Sequence, residues 1–596
     1  MSEPAAATVH EDEIFGKAYD ARLMRRLLRY LKPYRGWVAA AIGLMLLETG
    51  AQLAVPWLWR MTIDHAVRSH DAAMLNRLGL SLVGVLLAAF LLEYGQTFVL
   101  QLTGQKIMWD LRRELFSHLQ SQPLSFFDRQ PVGRLMTRVI NDVDVLNELF
   151  TSGVVSVVGD VFMLFGILWV LFVWNVKLAL LTFSVLPLIF LCTLEFRKRV
   201  RDSYRKIRTL LARINAFLQE NISGMVTVQM LGREENRRHK FEAINRSHRD
   251  ANVENVFYYA VFFPVMDFLG ALALALLVWF GGRQVLTGAL TLGALVAFFQ
   301  YAQRFFRPIN DLAEKYTILQ SAMASSERIF DLLDTAPALA PPAHPKPVGK
   351  LRQAIRFENV WFAYQNEEYV LRDVDLAIRP GERIAIVGAT GAGKTTLVHL
   401  LGRFYDTTRG RITWDGVDLR ELDPSALRGR LGYVQQDVFL FSGNIRANID
   451  LDNPEISEER AMAAAREVRA DEFIRRLPGG YGAAVNERGT TLSSGERQLL
   501  AFARALAYDP EVLVLDEATS SVDPETEGRI QEALERLLKG RTSIVVAHRL
   551  STIQSADRIL VFHHGRLREE GTHGQLLASG GIYARLVQLQ YGGAIA

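Results

Sequence analysis

Gly388, Ala389, Thr390, Gly391, Ala392, Gly393, Lys394 and Thr395 spell G-x-x-x-x-G-K-[ST], with Thr396 next, between a strand-like IAIVG and a helix-like LVHLL. That order is what a phosphate-binding loop requires. Its glycines let backbone N–H groups close around phosphate oxygens, and the helix N-terminus adds a favourable dipole. Lys394 can reach the β- and γ-phosphates, and the Thr395 hydroxyl can ligate Mg2+. Further on, EVLVLDEATSSVD places Asp516 and Glu517 at the end of an apolar strand. Asp516 can hold Mg2+, directly or through water, while Glu517 can polarise an attacking water. Either motif alone admits a plainer reading, a glycine-rich turn or two solvated loop acids. In this order and context they imply hydrolysis of ATP with Mg2+.

Chemistry of this kind needs a parallel sheet to aim the loop. From residue 353 to 596 strand and helix patterns alternate (IRFENVWFAY, ERIAIVG, EVLVLDEA, TSIVVAH), which indicates an α/β domain with a largely parallel sheet. Upstream, TAPALAPPAHPKPVGK breaks any helix and marks a linker over 335–352. The chain is 49% hydrophobic and 22% charged, and its apolar residues crowd before about residue 305. Stretches near 37–58, 78–103, 151–173, 177–195, 256–281 and 288–305 each approach the roughly 20 residues of a spanning helix. The last is diluted by Gln300, Gln303 and Arg304, but an even number of spans is needed to return the chain to its starting side. The expected fold is therefore a membrane protein, a six-helix α-helical transmembrane domain (21–334) fused to an α/β P-loop nucleotide-binding domain.

The flanks orient it. Residues 1–20 form a polar tail without a secretory signal pattern, and 21–35 interleave leucine with arginine as an interfacial helix would. Long connections carrying Arg112, Arg113, Arg129, Arg134, Arg138 and then Arg197 to Arg208 are cytoplasmic by the positive-inside tendency, with helices continuing through them. A multi-pass protein of the inner cell membrane is expected, with its N-terminus and nucleotide domain in the cytoplasm. Glu48, Glu93, Asp160 and Asp267 fall in or beside spans and either line a path for cationic or amphipathic cargo or bond neighbouring helices. The lone Cys192 excludes disulfide scaffolding within the chain. A net charge of +4 without an aromatic-basic stripe gives no nucleic-acid surface.

LSSGERQ, Leu492 to Gln498, resembles the ABC signature, and with the motifs above nearly the whole chain is similar to a half-size ABC exporter. The resemblance implies that Ser493 and Gly495 contact the γ-phosphate of ATP held by a second half-transporter. It also implies that Tyr364 stacks on adenine, that Gln436 senses Mg2+, and that His548 contacts the γ-phosphate. Ser520 to Asp523 matches the D-loop, NERG (486–489) the X-loop, and 124–144 the first intracellular loop, with a second coupling region near 224–235. Two departures stand out: Ser494 and Glu496 replace a glycine and a glutamine of the usual LSGGQ. An anion beside a polyphosphate weakens nucleotide contact unless Mg2+ or Arg497 screens it. This resembles heterodimeric exporters with unequal ATP sites. A homodimer tolerating the variant stays open, as does an ATP-gated membrane protein that does not pump. The cargo implied is a hydrophobic or amphipathic drug, lipid or peptide.

Overall fold

Asp20 accepts a hydrogen bond from Arg22 N at 2.7 Å and so caps the first helix, α1 (Ala21–Leu31). The computed structural model describes residues 20–591 except 338, 340, 341, 343, 366, 517–523 and 548. Two compact units separate: one holds the chain up to His118 together with Gly133–Thr335, the other Leu119–Val132 and everything from Ala336 onward.

The first unit is helical. After α1 come α2 (Arg35–Met61) and α3 (Ala72–Ser121), then the short α4 (Leu124–Arg129), which belongs to the second unit, α5 (Val132–Thr137) and α6 (Val143–Glu148). The chain continues as α7 (Val154–Trp174), α8 (Val176–Phe183), α9 (Leu186–Ser223), α10 (Met225–Met230), α11 (Glu234–Leu286) and α12 (Leu292–Asp334). At 1.5 Å per residue the 50 residues of α3 extend about 75 Å. That is more than twice a hydrocarbon core of about 30 Å, so the helices do run on through the basic connections. Two connections between expected spans are short: α11 continues to Leu286, and Asn175 alone separates α7 from α8, whose first turn it caps through Leu178 N at 3.1 Å. The fourth expected span is broken at Ser184–Val185, because Pro187 can neither donate to the Phe183 carbonyl nor leave it room.

Among the described residues five stretches are long and apolar enough to cross a bilayer: Ala21–Val67, Ala72–Ser121, Val132–Trp174, Val176–Ser223 and Glu234–Leu286. The sixth, on α12, is not. Two of its polar side chains donate to α2: Tyr301 Oη to Leu53 O and Arg304 Nη1 to Gln52 O, each at 2.6 Å. At the outer end Asp64 accepts from Thr291 Oγ1 at 2.6 Å and Gly293 N at 2.8 Å, capping α12. A Cβ at Gly293 would lie 2.6 Å from Arg60 O, so glycine permits this approach. Gly166 on α7 does the same against Leu53 of α2, as small residues do between spanning helices. At the other end of α12, buried Asp142 accepts from Ser325 Oγ and Arg328 Nε, both at 3.0 Å.

The second unit has two principal sheets. β1 (Ile355–Ala363), β2 (Tyr369–Ile378), β4 (Arg409–Trp414) and β5 (Val417–Asp418) form an antiparallel sheet in the order β2-β1-β4-β5. The second runs β12-β11-β3-β10-β9-β6, from β3 (Arg383–Val387), β6 (Leu431–Val434), β9 (Val512–Asp516), β10 (Thr542–Val546), β11 (Arg558–His563) and β12 (Arg566–Gly571). All of its pairings are parallel except β11 with β12. Strands β9 and β10 are buried along their whole length, as a sheet covered on both faces demands. The core helix α13 (Lys394–Leu401) follows β3 directly. Helices α14 (Pro424–Gly429), α15 (Ile445–Asp450), α16 (Glu458–Glu467), α17 (Ala470–Ile474) and α18 (Ser494–Ala507) come later in the chain. A two-stranded antiparallel pair, β7 (Gly443–Asn444) with β8 (Ala484–Val485), packs beside α15.

Candidate nucleotide site

Between β3 and α13 the chain turns through left-handed backbone at Gly391 (φ +81°) and Gly393 (φ +96°), where a side chain would strain it. A Cβ on Gly393 would also lie 2.6 Å from Leu371. Lys394 opens α13 and is 7% exposed; its Nζ donates to Gly388 O at 2.8 Å and Ala389 O at 3.1 Å. The ammonium thus curls over the loop's own carbonyls, and burial lowers its pKa, with Asp516 partly offsetting the effect. A polyphosphate would supply the counter-charge that two carbonyls do not.

Thr395 Oγ1 donates to Asp516 Oδ2 at 2.9 Å, joining the start of α13 to the end of β9. Asp516 is 7% exposed. Two hard oxygen donors held together on buried elements suit Mg2+. Tyr364, just past β1, is 37% exposed, and its hydroxyl lies 3.1 Å from Thr396 Oγ1. Gln436 stands exposed on the turn after β6; among the described residues it makes no hydrogen bond to Thr395 or Asp516. Glu517, His548 and the D-loop residues Ser520 to Asp523 lie outside the described residues. The structure therefore brings together the Gly388–Thr396 loop, Tyr364 and Asp516, and leaves Gln436, Ser493 and Gly495 apart from them.

Ser493 is the N-cap of α18. Its Oγ accepts from Glu496 N at 3.2 Å, while Glu496 Oε2 accepts from Ser493 N at 2.8 Å, a reciprocal capping box. Glu496 is thereby tied to the cap. Arg497 does not screen it by pairing: its Nη1 donates to Leu492 O at 2.7 Å. Gly495 is buried and Ser494 exposed.

Sequence reasoning missed one neighbour. Tyr405 packs edge-on to Tyr364, ring centroids 5.1 Å apart, and donates its hydroxyl to Asp128 of α4. Burial and that carboxylate push the Tyr405 phenol well above its ordinary pKa, which keeps it a donor. Arg129 Nη2 reaches Tyr364 O at 3.5 Å. Tyr364, and through it Thr396 of α13, is thus linked to α4 by two aromatic rings. A tyrosine following an Arg-Phe pair carries no motif, so only the fold reveals it.

A family model described as the ABC transporter transmembrane region matches residues 38–309, and one described as ABC transporter matches 371–520. An uncharacterized ABC transporter ATP-binding protein, YknV of Bacillus subtilis (strain 168), is 39% identical over 590 residues, spanning 98% of this chain and 97% of that protein. An ATP-dependent lipid A-core flippase of Syntrophus aciditrophicus (strain SB) is 36% identical over 569 residues, 96% of this chain and 94% of that one. A solved structure of a bacterial Atm1-family ABC exporter with ATP bound superposes with a TM-score of 0.75 at 29% identity, covering 94% of this chain and 98% of the other.

Proposed function

Because the chain belongs to the ABC transporters and has the build of a half-size exporter, an ATPase fused to its own membrane domain, we propose that it moves a hydrophobic or amphipathic substrate outward by alternating access. Half-size ABC exporters work as dimers, and the chain binds and hydrolyses ATP. Two nucleotide domains close on two ATP molecules, the helical cavity turns outward, and hydrolysis resets it. The loop from Gly388 to Thr396 cradles the phosphates, Lys394 reaches the β- and γ-phosphates, and Tyr364 faces adenine. Thr395 and Asp516, with Gln436, would hold Mg2+, whose chemistry is to neutralise charge on the β- and γ-phosphates. Glu517 orients or deprotonates the attacking water and His548 steadies the γ-phosphate. Ser493 and Gly495 contact ATP across the dimer. The observation carrying this reading is the Thr395–Asp516 bond, which fixes the two metal-binding oxygens at one place beside the P-loop.

The domain order, with the interfacial α1 and the basic connections, supports the inner cell membrane with the nucleotide domain inside. Identity to a lipid A-core flippase supports lipid among the drug, lipid and peptide alternatives. The decisive test is nucleotide-dependent, uphill cargo movement in proteoliposomes containing the assembled transporter. A channel-like flux that only dissipates a gradient would overturn the pump.

The Glu496 capping box supports a heterodimer with unequal sites. A carboxylate at N3 takes up the Ser493 N–H and opposes the positive helix end where a trans phosphate would sit. Glu496→Gln keeps the box geometry but removes the charge. It is expected to tighten ATP at the composite site this signature completes by roughly threefold to tenfold, within the range of charge effects at helix ends. Nucleotide titration of the assembled transporter measures this, and unchanged affinity would favour a tolerated variant in a homodimer. Purification with native neighbours then shows one band or two.

A further inference from the structure

Arg304 lies about 18 Å along α12 from Leu292, at 1.5 Å per residue, and so falls deep within a hydrocarbon core about 30 Å thick. A charge at that depth is costly, and it persists where it faces protein or an aqueous path and has something to bind.

Part of the reason is structural. Pro56 sits inside α2 and has no N–H to offer Gln52 O, four residues back. Arg304 Nη1 fills that vacancy at 2.6 Å, and Tyr301 Oη donates to the next carbonyl, Leu53 O. This duty needs one donor and no charge. A guanidinium carries five donors in a planar fork and a permanent positive charge.

Among the described residues Gln52 O is the one hydrogen-bond partner recorded for the Arg304 guanidinium. Among the described residues Arg304 has no ion pair. Glu48, one turn away on α2, receives the side-chain amide of Gln52. Asp64 is held by Thr291, Gly293 and Arg60 at the outer end. Glu93 and Asp267 are exposed on α3 and α11. Meanwhile Tyr301, Ala302 and Phe305 beside Arg304 are buried, whereas Arg304 keeps partial exposure. A fork with spare donors, fixed at one corner and still partly exposed, suits a planar or tetrahedral oxyanion.

We propose that Arg304 is the head-group contact of the cargo path, and that the cargo is an amphiphile with an anionic head, a carboxylate or a phosphate. This rests on the export reading above and narrows its substrate class. Apolar side chains of the spans would accompany the tail, while the fork takes the head.

The test uses the assembled transporter in phosphatidylcholine nanodiscs. Its ATPase rate is followed while oleate, phosphatidylglycerol, monoolein or dodecyltrimethylammonium is titrated in. The wild type is expected to respond to an anionic probe at lower concentration than to monoolein, and the two anionic arms separate carboxylate from phosphate. In Arg304→Gln, whose amide can still donate to Gln52 O, the half-stimulating concentration for the anionic probe should rise roughly tenfold relative to that for monoolein. Arg304→Lys should recover part of the difference. Where Arg304→Gln folds poorly, Pro56→Ala/Arg304→Gln restores the donor from the backbone of residue 56 and repeats the comparison. An unchanged anionic-to-neutral ratio, or stimulation by the cationic probe alone, overturns the assignment while leaving export intact. No stimulation by any probe, with no ATP-driven flux, removes the premise as well.

Discussion

Replacing Glu517 by glutamine is expected to cut ATP turnover of the assembled transporter by about 10²–10⁴-fold, the usual worth of a positioned general base. The reason is where the chain comes from. Asp516 ends a fully buried strand, is in register with Val546 of β10, and is tied to Thr395 at the mouth of the P-loop. The proposed role follows from the order of the chain: the carboxylate next in sequence to this metal-side aspartate is the one assigned to the attacking water. The amide is nearly isosteric with the carboxylate, so ATP binding should survive while hydrolysis stops, trapping a closed dimer. Phosphate release, together with retention of nucleotide through rapid gel filtration, reads both effects. Normal turnover in the assembled Glu517→Gln transporter would remove Glu517 from this role.

The second large effect is expected at Lys394. Without nucleotide its ammonium rests on Gly388 O and Ala389 O in a buried place that lowers its pKa, so the charge is not a gain for the apo domain. Charge-assisted bonds to phosphate are worth about 1.5–3 kcal/mol, and Lys394→Ala should weaken ATP binding by roughly 10–100-fold. The sign of the thermal shift distinguishes this from misfolding. Apo Lys394→Ala should melt near the wild type, and only the upward shift on adding ATP should shrink, since ligand stabilisation follows RT ln(1 + [L]/Kd). A variant that melts early without ATP would place Lys394 in the architecture instead.

The loop around Lys394 was readable because its chemistry forces a local pattern. A phosphate loop needs glycines where φ is positive, and Gly391 and Gly393 stand there. The strand before it must be apolar throughout, and β3 is. Spans were legible for the same kind of reason, since a bilayer demands uninterrupted apolar length, and five stretches meet it. What the chain hid depends on partners distant in sequence. Arg304 looks like a flaw in a sixth span until Gln52, 252 residues earlier, is seen beside it with a carbonyl that Pro56 cannot serve. Tyr405 gains meaning only from Asp128. Glu496 is the instructive case: S-x-x-E is a recognisable cap, yet beside a phosphate-binding motif its charge drew the eye first. The antiparallel sheet of β2, β1, β4 and β5 was likewise obscured, because IRFENVWFAY alternates well but says nothing of direction.

Helix α2, with the helical turn Thr62–Val67 that continues it, is fastened twice to α12, by Asp64 at the start of α12 and by Tyr301 with Arg304 further along. Two rods riveted at two points make a lath: it can swing or tilt as one piece, but neither rod can slide past the other. Any reshaping of this domain must then leave that pair intact and be taken up by its other helices.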